Sequence, residues 1–214
     1  MMHAISKIFI PFIRVGLLKG LFLCCLLPQP AIAQQQVNSL IQADSSWDKE
    51  VFPFPLSFAP EIAYPGFEEA WFPKAWAHKD SAAFWSYAFG WRIETKHPLT
   101  VTDLEQNLKE YFDGLMGGKE GLPKDKLPGT VALFLQNASE GNRSYFKGKI
   151  QIFDAFTLKA PLMLHVTVEQ YYCKEHLKSM LLFRFSPKTT EHPIWKQLNE
   201  LSFRKEILEE DKCL

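Results

Sequence analysis

The sequence predicts a single α+β domain, a mostly antiparallel sheet of about six strands packed by two helices. Three observations predict it. Thr130 to Ser186 reads as four successive strands joined by turns too short for a helical crossover, so their pairing is antiparallel. An amphipathic helix precedes them at Thr102–Leu115, and a last helix begins near Pro193. No internal repeat or linker divides the chain, whose body is the length of one domain.

The 214-residue chain opens with Lys7, Arg14 and Lys19, an apolar run from Gly20 to Leu27, then Pro28, Pro30 and Ala31-Ile32-Ala33. That is the layout of a secretory signal peptide over 1–33, cleaved near Ala33. The run is too short and too interrupted to span a bilayer. The mature protein is therefore expected in the periplasm or outside the cell. Cys24 and Cys25 leave with the leader. Leu23 and Phe22 stand where a lipoprotein signal needs small residues. Cys173 and Cys213 remain, and in an oxidising compartment they are expected to pair as a disulfide. Three of the 24 basic residues and none of the 24 acidic ones lie in the leader, so the rest carries a net charge of −3. A nucleic-acid footprint is not expected, nor is a membrane span after cleavage.

Residues 34–46 are polar and read as a flexible lead-in, with the domain itself over 47–214. In Trp47–Pro60, Pro53, Pro55 and Pro60 oppose regular structure, so an extended segment pinned by Phe52, Phe54 and Phe58 is expected. Phe67–Phe72 is a short strand. Ser81–Glu94 is a clearer one, with Trp85, Tyr87, Phe89, Trp91 and Ile93 on one face and Ser86, Ala88, Gly90 and Arg92 on the other. In the first helix Thr102 and Glu105 have capping-box spacing. Leu104, Leu108, Phe112 and Leu115 make its stripe, and Gly117-Gly118 stops it ahead of a loop to Gly129. The four strands fall at Thr130–Gln136, Ser144–Phe156, Pro161–Tyr172 and Lys178–Ser186. Ile194, Leu198, Leu201 and Leu208 form the buried face of the last helix.

Side-chain chemistry suggests the hairpin registers. Facing the row Leu164, Val166, Val168 with Phe185, Phe183, Leu181 sets His165 opposite Arg184 and Thr167 opposite Leu182. In the preceding hairpin, Ile152 opposite Val166 sets Lys149 opposite Glu169. Asp154 then falls on the apolar row, where an unpartnered acid is costly. It is expected to bond backbone amides or a lysine near the strand end, with a functional acid under the sheet as the sharper alternative.

Trp47 to Trp91 holds five of the six tryptophans. These rings are read mainly as core. If part of them is a stacking platform, Trp71 and Trp76 are its members, being nearest the loops. Glu68 and Glu69 point to opposite faces of their strand and make no acid–base dyad; a solvated edge is expected for them. Cys173, Glu175 and His176 lack the further ligands of a zinc site. No serine- or cysteine-nucleophile motif, metalloprotease motif or P-loop is present, so no cofactor or metal is expected. Asn137-Ala138-Ser139 and Asn142-Arg143-Ser144 match the glycosylation pattern but read as turns.

The run from Thr130 to Phe203, with its successive strands ending in Leu181-Leu182-Phe183-Arg184-Phe185-Ser186-Pro187 and a closing helix through Trp195 and Leu198, resembles the PsbP-like domains. The resemblance implies an α/β/α sandwich and an accessory or binding role, and it carries over no site residue. The functional expectation is an exported, non-catalytic binding or accessory protein with a protein or glycan partner. The alternative is an envelope- or carbohydrate-acting hydrolase or lyase. The candidate ligand residues are Trp71, Trp76, Asp154, His165 and Arg184.

Overall fold

The computed structural model describes residues 39–121 and 126–213; the expected signal peptide lies outside them. Among the described residues are nine strands and three α-helices: β1 (Ile41–Gln42), β2 (Asp48–Pro53), β3 (Gly66–Phe72), β4 (Tyr87–Glu94), α1 (Val101–Glu120), β5 (Val131–Glu140), β6 (Arg143–Asp154), β7 (Ala160–Cys173), β8 (Lys178–Ser186), α2 (Ile194–Glu200), β9 (Ser202–Phe203) and α3 (Lys205–Glu210). Seven of the strands form one antiparallel sheet in the order β2-β3-β4-β8-β7-β6-β5, and β1 pairs with β9 apart from it. The α+β class and the antiparallel sheet are as the sequence predicts. Two meanders, β2–β3–β4 and β5–β6–β7–β8, join where β4 pairs with β8.

Both faces of the sheet carry apolar rows. Tyr87, Phe89, Trp91 and Ile93 of β4, with Leu181, Phe183 and Phe185 of β8, pack with Leu104, Leu108 and Phe112 of α1. On the other face Ala88, Met180 and Leu182 pack with Leu40, Ile41, Trp195, Leu198 and Leu208. β8 is central and buried on both sides, so its sequence is nearly continuously apolar instead of alternating.

Several boundaries differ from the sequence expectation. α1 is capped by Thr100, not Thr102, and the box is closed by Asp103. The helix runs past Gly117-Gly118 to Glu120, because only Gly121 takes the left-handed conformation (φ 64°) that ends it. Gly114 lies so close to the loop over Phe58 that a Cβ there would sit 1.8 Å from the Phe58 carbonyl oxygen. β4 starts at Tyr87, the residues from Ser81 to Ser86 forming turns. β5 continues to Glu140 across a bulge at Asn137. The last helix is broken: α2 ends at Glu200, β9 follows, and α3 carries Leu208. The flexible lead-in expected over 34–46 is corrected where it is described: Leu40 and Ile41 are fully buried against Gly90.

The hairpin registers keep the expected faces but not the expected pairs. Val166 faces Phe185 and Thr167 faces Arg184, a slip of two; Ile152 faces Leu162 and Lys149 faces His165, a slip of four. An apolar alternation fixes only the parity of a register. The turns decide the rest: residues 155–159 form the β6–β7 loop, and a 3₁₀ turn at Lys174–His176 leads into β8. Cys173 and Cys213 form a disulfide across 40 residues, fixing the end of the chain to the end of β7. No helix of the described residues is long and apolar enough to cross a membrane.

Candidate functional site

The Glu68-Glu69 pair is where the structure departs furthest from the solvated edge expected of it. β3 is covered on both faces, so each acid is buried, one on each side. Glu69 accepts from the Leu40 and Ile41 amides (2.9 and 3.0 Å), from Ser39 Oγ (2.7 Å) and from Trp71 Nε1 (2.7 Å). Those bonds fasten the lead-in to the sheet. Trp71, a candidate stacking residue, is thereby a structural donor, half-buried with Lys49 Nζ over its ring.

Glu68 points the other way, under α1. Trp91 Nε1 donates to its Oε2 at 2.7 Å and Tyr111 Oη to its Oε1 at 2.9 Å. The residue is 0% exposed. Burial pushes its carboxyl up to about 7, against the two hydrogen bonds that favour the charged form, with Glu50 adding repulsion. Burial and the Glu68 charge also hold the Tyr87 and Tyr111 phenols well above their ordinary range, so both remain hydroxyls.

Glu68 lines a cavity of about 530 Å³. Its walls are rings from five separate stretches of chain: Phe52 and Phe58, Phe72 and Trp76, Trp85 and Tyr87, then Tyr111 of α1 and Phe156 of the β6–β7 loop. The rings brace one another. Phe72 lies 4.8 Å from Trp76 and stacks on Tyr87 at 5.5 Å, and Trp76 meets Trp85 edge-on at 6.1 Å. Asp48 and Glu50 of β2 supply two further acids, and none of the lining residues is basic. Lys119 Nζ lies 5.6 Å from the Phe156 ring, in cation–π contact with this wall. Of the expected ligand residues only Trp76 belongs to this cavity. Glu68 was legible only as half of a carboxylate pair. The missed signal is that rings flank both acids, which marks a strand covered on two sides.

The remaining candidates lie elsewhere. Asp154 is fully buried and caps its own turn, accepting from the Phe156, Thr157 and Leu158 amides at 2.9, 3.1 and 2.8 Å. This is the structural role expected of it, and its oxygens are taken. His165 and Arg184 share the opposite face but are diagonal neighbours, since His165 faces Ser186. Arg184 is buried, its Nε donating to the Leu198 carbonyl and its Nη2 to the Leu201 carbonyl, so it holds the end of α2. Among the described residues no group of three or more His, Cys, Asp or Glu side chains could hold a metal ion.

No protein-family model, curated protein or solved structure matches this chain.

Proposed function

We propose that this is an exported binding protein whose ligand is a small organic cation with an apolar or ring-shaped body. One observation carries the reading: a cavity of about 530 Å³ walled by aromatic rings holds a buried acid at its base and two more on β2. Ring faces attract cations by about 0.5–2 kcal/mol each, more where water is excluded. An anionic Glu68 adds a counter-charge that an empty cavity leaves uncompensated. The cation therefore relieves a cost that the free protein carries. Action outside the cytoplasm is supported by the Cys173–Cys213 disulfide and by the signal-like first 33 residues.

An enzyme reading has one observation in its favour. A carboxyl near neutrality beside a phenol is poised for proton transfer. Binding is preferred because both Glu68 oxygens already accept from protein donors.

Tryptophan fluorescence tests the proposal, since Trp76 and Trp85 line the cavity. Titrating benzyltrimethylammonium into the protein should give a saturable change that benzenesulfonate does not. A Trp76→Ala variant should lose most of it. Equal responses to the two probes would refute a cation site.

A further inference from the structure

Two cavities lie on the opposite face of the sheet, at its far edge, apart from the ring-lined one. There α2, α3 and the β1–β9 pair pack over β3, β4 and β8, and among the described residues they leave β5, β6 and the start of β7 uncovered. Leu133 is 65% exposed, Leu135 76% and Met163 43%. The register aligns Leu135, Lys147, Thr167 and Arg184 in one row across four strands, with Leu133, Lys149 and His165 in the next.

Two cavities adjoin along these rows and share Lys147, Thr167 and Thr190. One, of about 360 Å³, is the more polar of the two, with Asn137, Tyr145, Arg184 and Asn199 in its walls. The other, of about 560 Å³, is largely apolar and runs along Leu133 and Leu135. Glu169 is the acid of the polar cavity, and it is already matched by two guanidiniums, Arg143 at 2.5 Å and Arg184 at 3.4 Å. Lys147 and Lys149 have no carboxylate partner among the described residues. Thr167 Oγ1, on the wall common to both cavities, is buried without a hydrogen-bond partner among the described residues. A buried hydroxyl left unpaired is costly, and a ligand oxygen would satisfy it.

We propose that the adjoining cavities form one site for an anionic amphiphile, its head group beside Lys147, Thr167 and Arg184 and its aliphatic tail along Leu133 and Leu135. The surplus of positive charge selects the head, and the exposed leucines supply the surface that a chain covers. Such a molecule reaches the site either free in solution or as a lipid in a membrane.

Calorimetry with dodecyl phosphate below its micellar concentration tests this. Dodecyl phosphate should bind at least about tenfold more tightly than dodecyltrimethylammonium or inorganic phosphate, since the site uses both head charge and tail. Lys147→Glu and Leu135→Asp should each weaken it by about tenfold or more. Both positions are exposed, so unchanged melting of the free variants confirms that they fold. Thr167→Val should weaken binding while raising the melting temperature of the free protein. Co-sedimentation with phosphatidylglycerol vesicles but not phosphatidylcholine vesicles, lost in Leu135→Asp, assigns a membrane source; binding of dodecyl phosphate without sedimentation assigns a free one. Equal binding of the cationic amphiphile overturns the proposal, as do wild-type affinities in Lys147→Glu and Leu135→Asp. Wild-type affinity in Thr167→Val contradicts the placement of the head group.

Discussion

Replacing Glu68 with Gln isolates the cost of holding a charge beneath the sheet. Burial raises this carboxyl from 4.5 to about 7. With the folded pKa above the unfolded one, the folded state holds the extra proton between those values. The side chain's contribution to stability is therefore fully present below about 4.5, declines as pH rises, and is lost above about 7. The interval from 4.5 to about 7, at 1.36 kcal/mol per pH unit, corresponds to about 3 kcal/mol. Glutamine removes the titration and keeps the geometry: its oxygen accepts from Trp91, and its amide can donate to the Tyr111 oxygen. Urea unfolding of both proteins from pH 5 to pH 8 is the assay. The stability of Glu68→Gln relative to wild type should rise across that range by up to about 3 kcal/mol. A relative stability that is flat, or that falls, would refute the buried-charge argument.

Three further perturbations test the frame around the site. Cys213→Ser opens the 40-residue loop and should cost about 4 kcal/mol in the chain-entropy account, read by urea unfolding; equal stability of oxidised and variant protein would contradict it. Gly114→Ala drives a Cβ into the Phe58 carbonyl and should cost about 1–3 kcal/mol, whereas Gly118→Ala on the same helix meets nothing and should stabilise by about 0.5–1 kcal/mol. Thermal melts that rank the two alike would show that α1 does not sit tightly on the loop. Burial alone would raise the Asp211 carboxyl, but the hydrogen bonds and charges of Arg92 and Lys178 hold it below its ordinary 3.8. Its contribution is thus present above about 3.8 and is lost as pH falls through the lower folded value. Asp211→Asn should therefore be less stable than wild type at pH 7 and approach it in acid; a gap that widens in acid would be the wrong sign.

Local periodicity made the sheet legible. Trp85 to Ile93 and Leu164 to Val168 each announce which side chains go inward, and all of them do. What the alternation could not supply was the count of residues in each turn, so Asp154 and Arg184 fell on the right faces opposite the wrong partners. The glycines misled for a related reason: Gly117-Gly118 remain helical because the turn of α1 continues through them to Gly121. The lead-in was misread because its polarity hides Leu40 and Ile41, whose burial depends on Glu69, a residue 28 positions or more away. The cavity around Glu68 was the least legible feature. It is assembled from β2, β3, β4, α1 and the β6–β7 loop, and no single stretch of chain shows that Trp76, Tyr111 and Phe156 converge.

The decisive property of the cavity is whether its rings and acids together select positive charge. Isothermal titration at pH 8 with benzyltrimethylammonium, benzyl alcohol and benzenesulfonate holds the ring constant and changes only the charge. Affinity should fall in that order, with the advantage of the cation collapsing in Glu68→Gln. Indifference to charge, or a cation that binds Glu68→Gln as tightly as wild type, would contradict it.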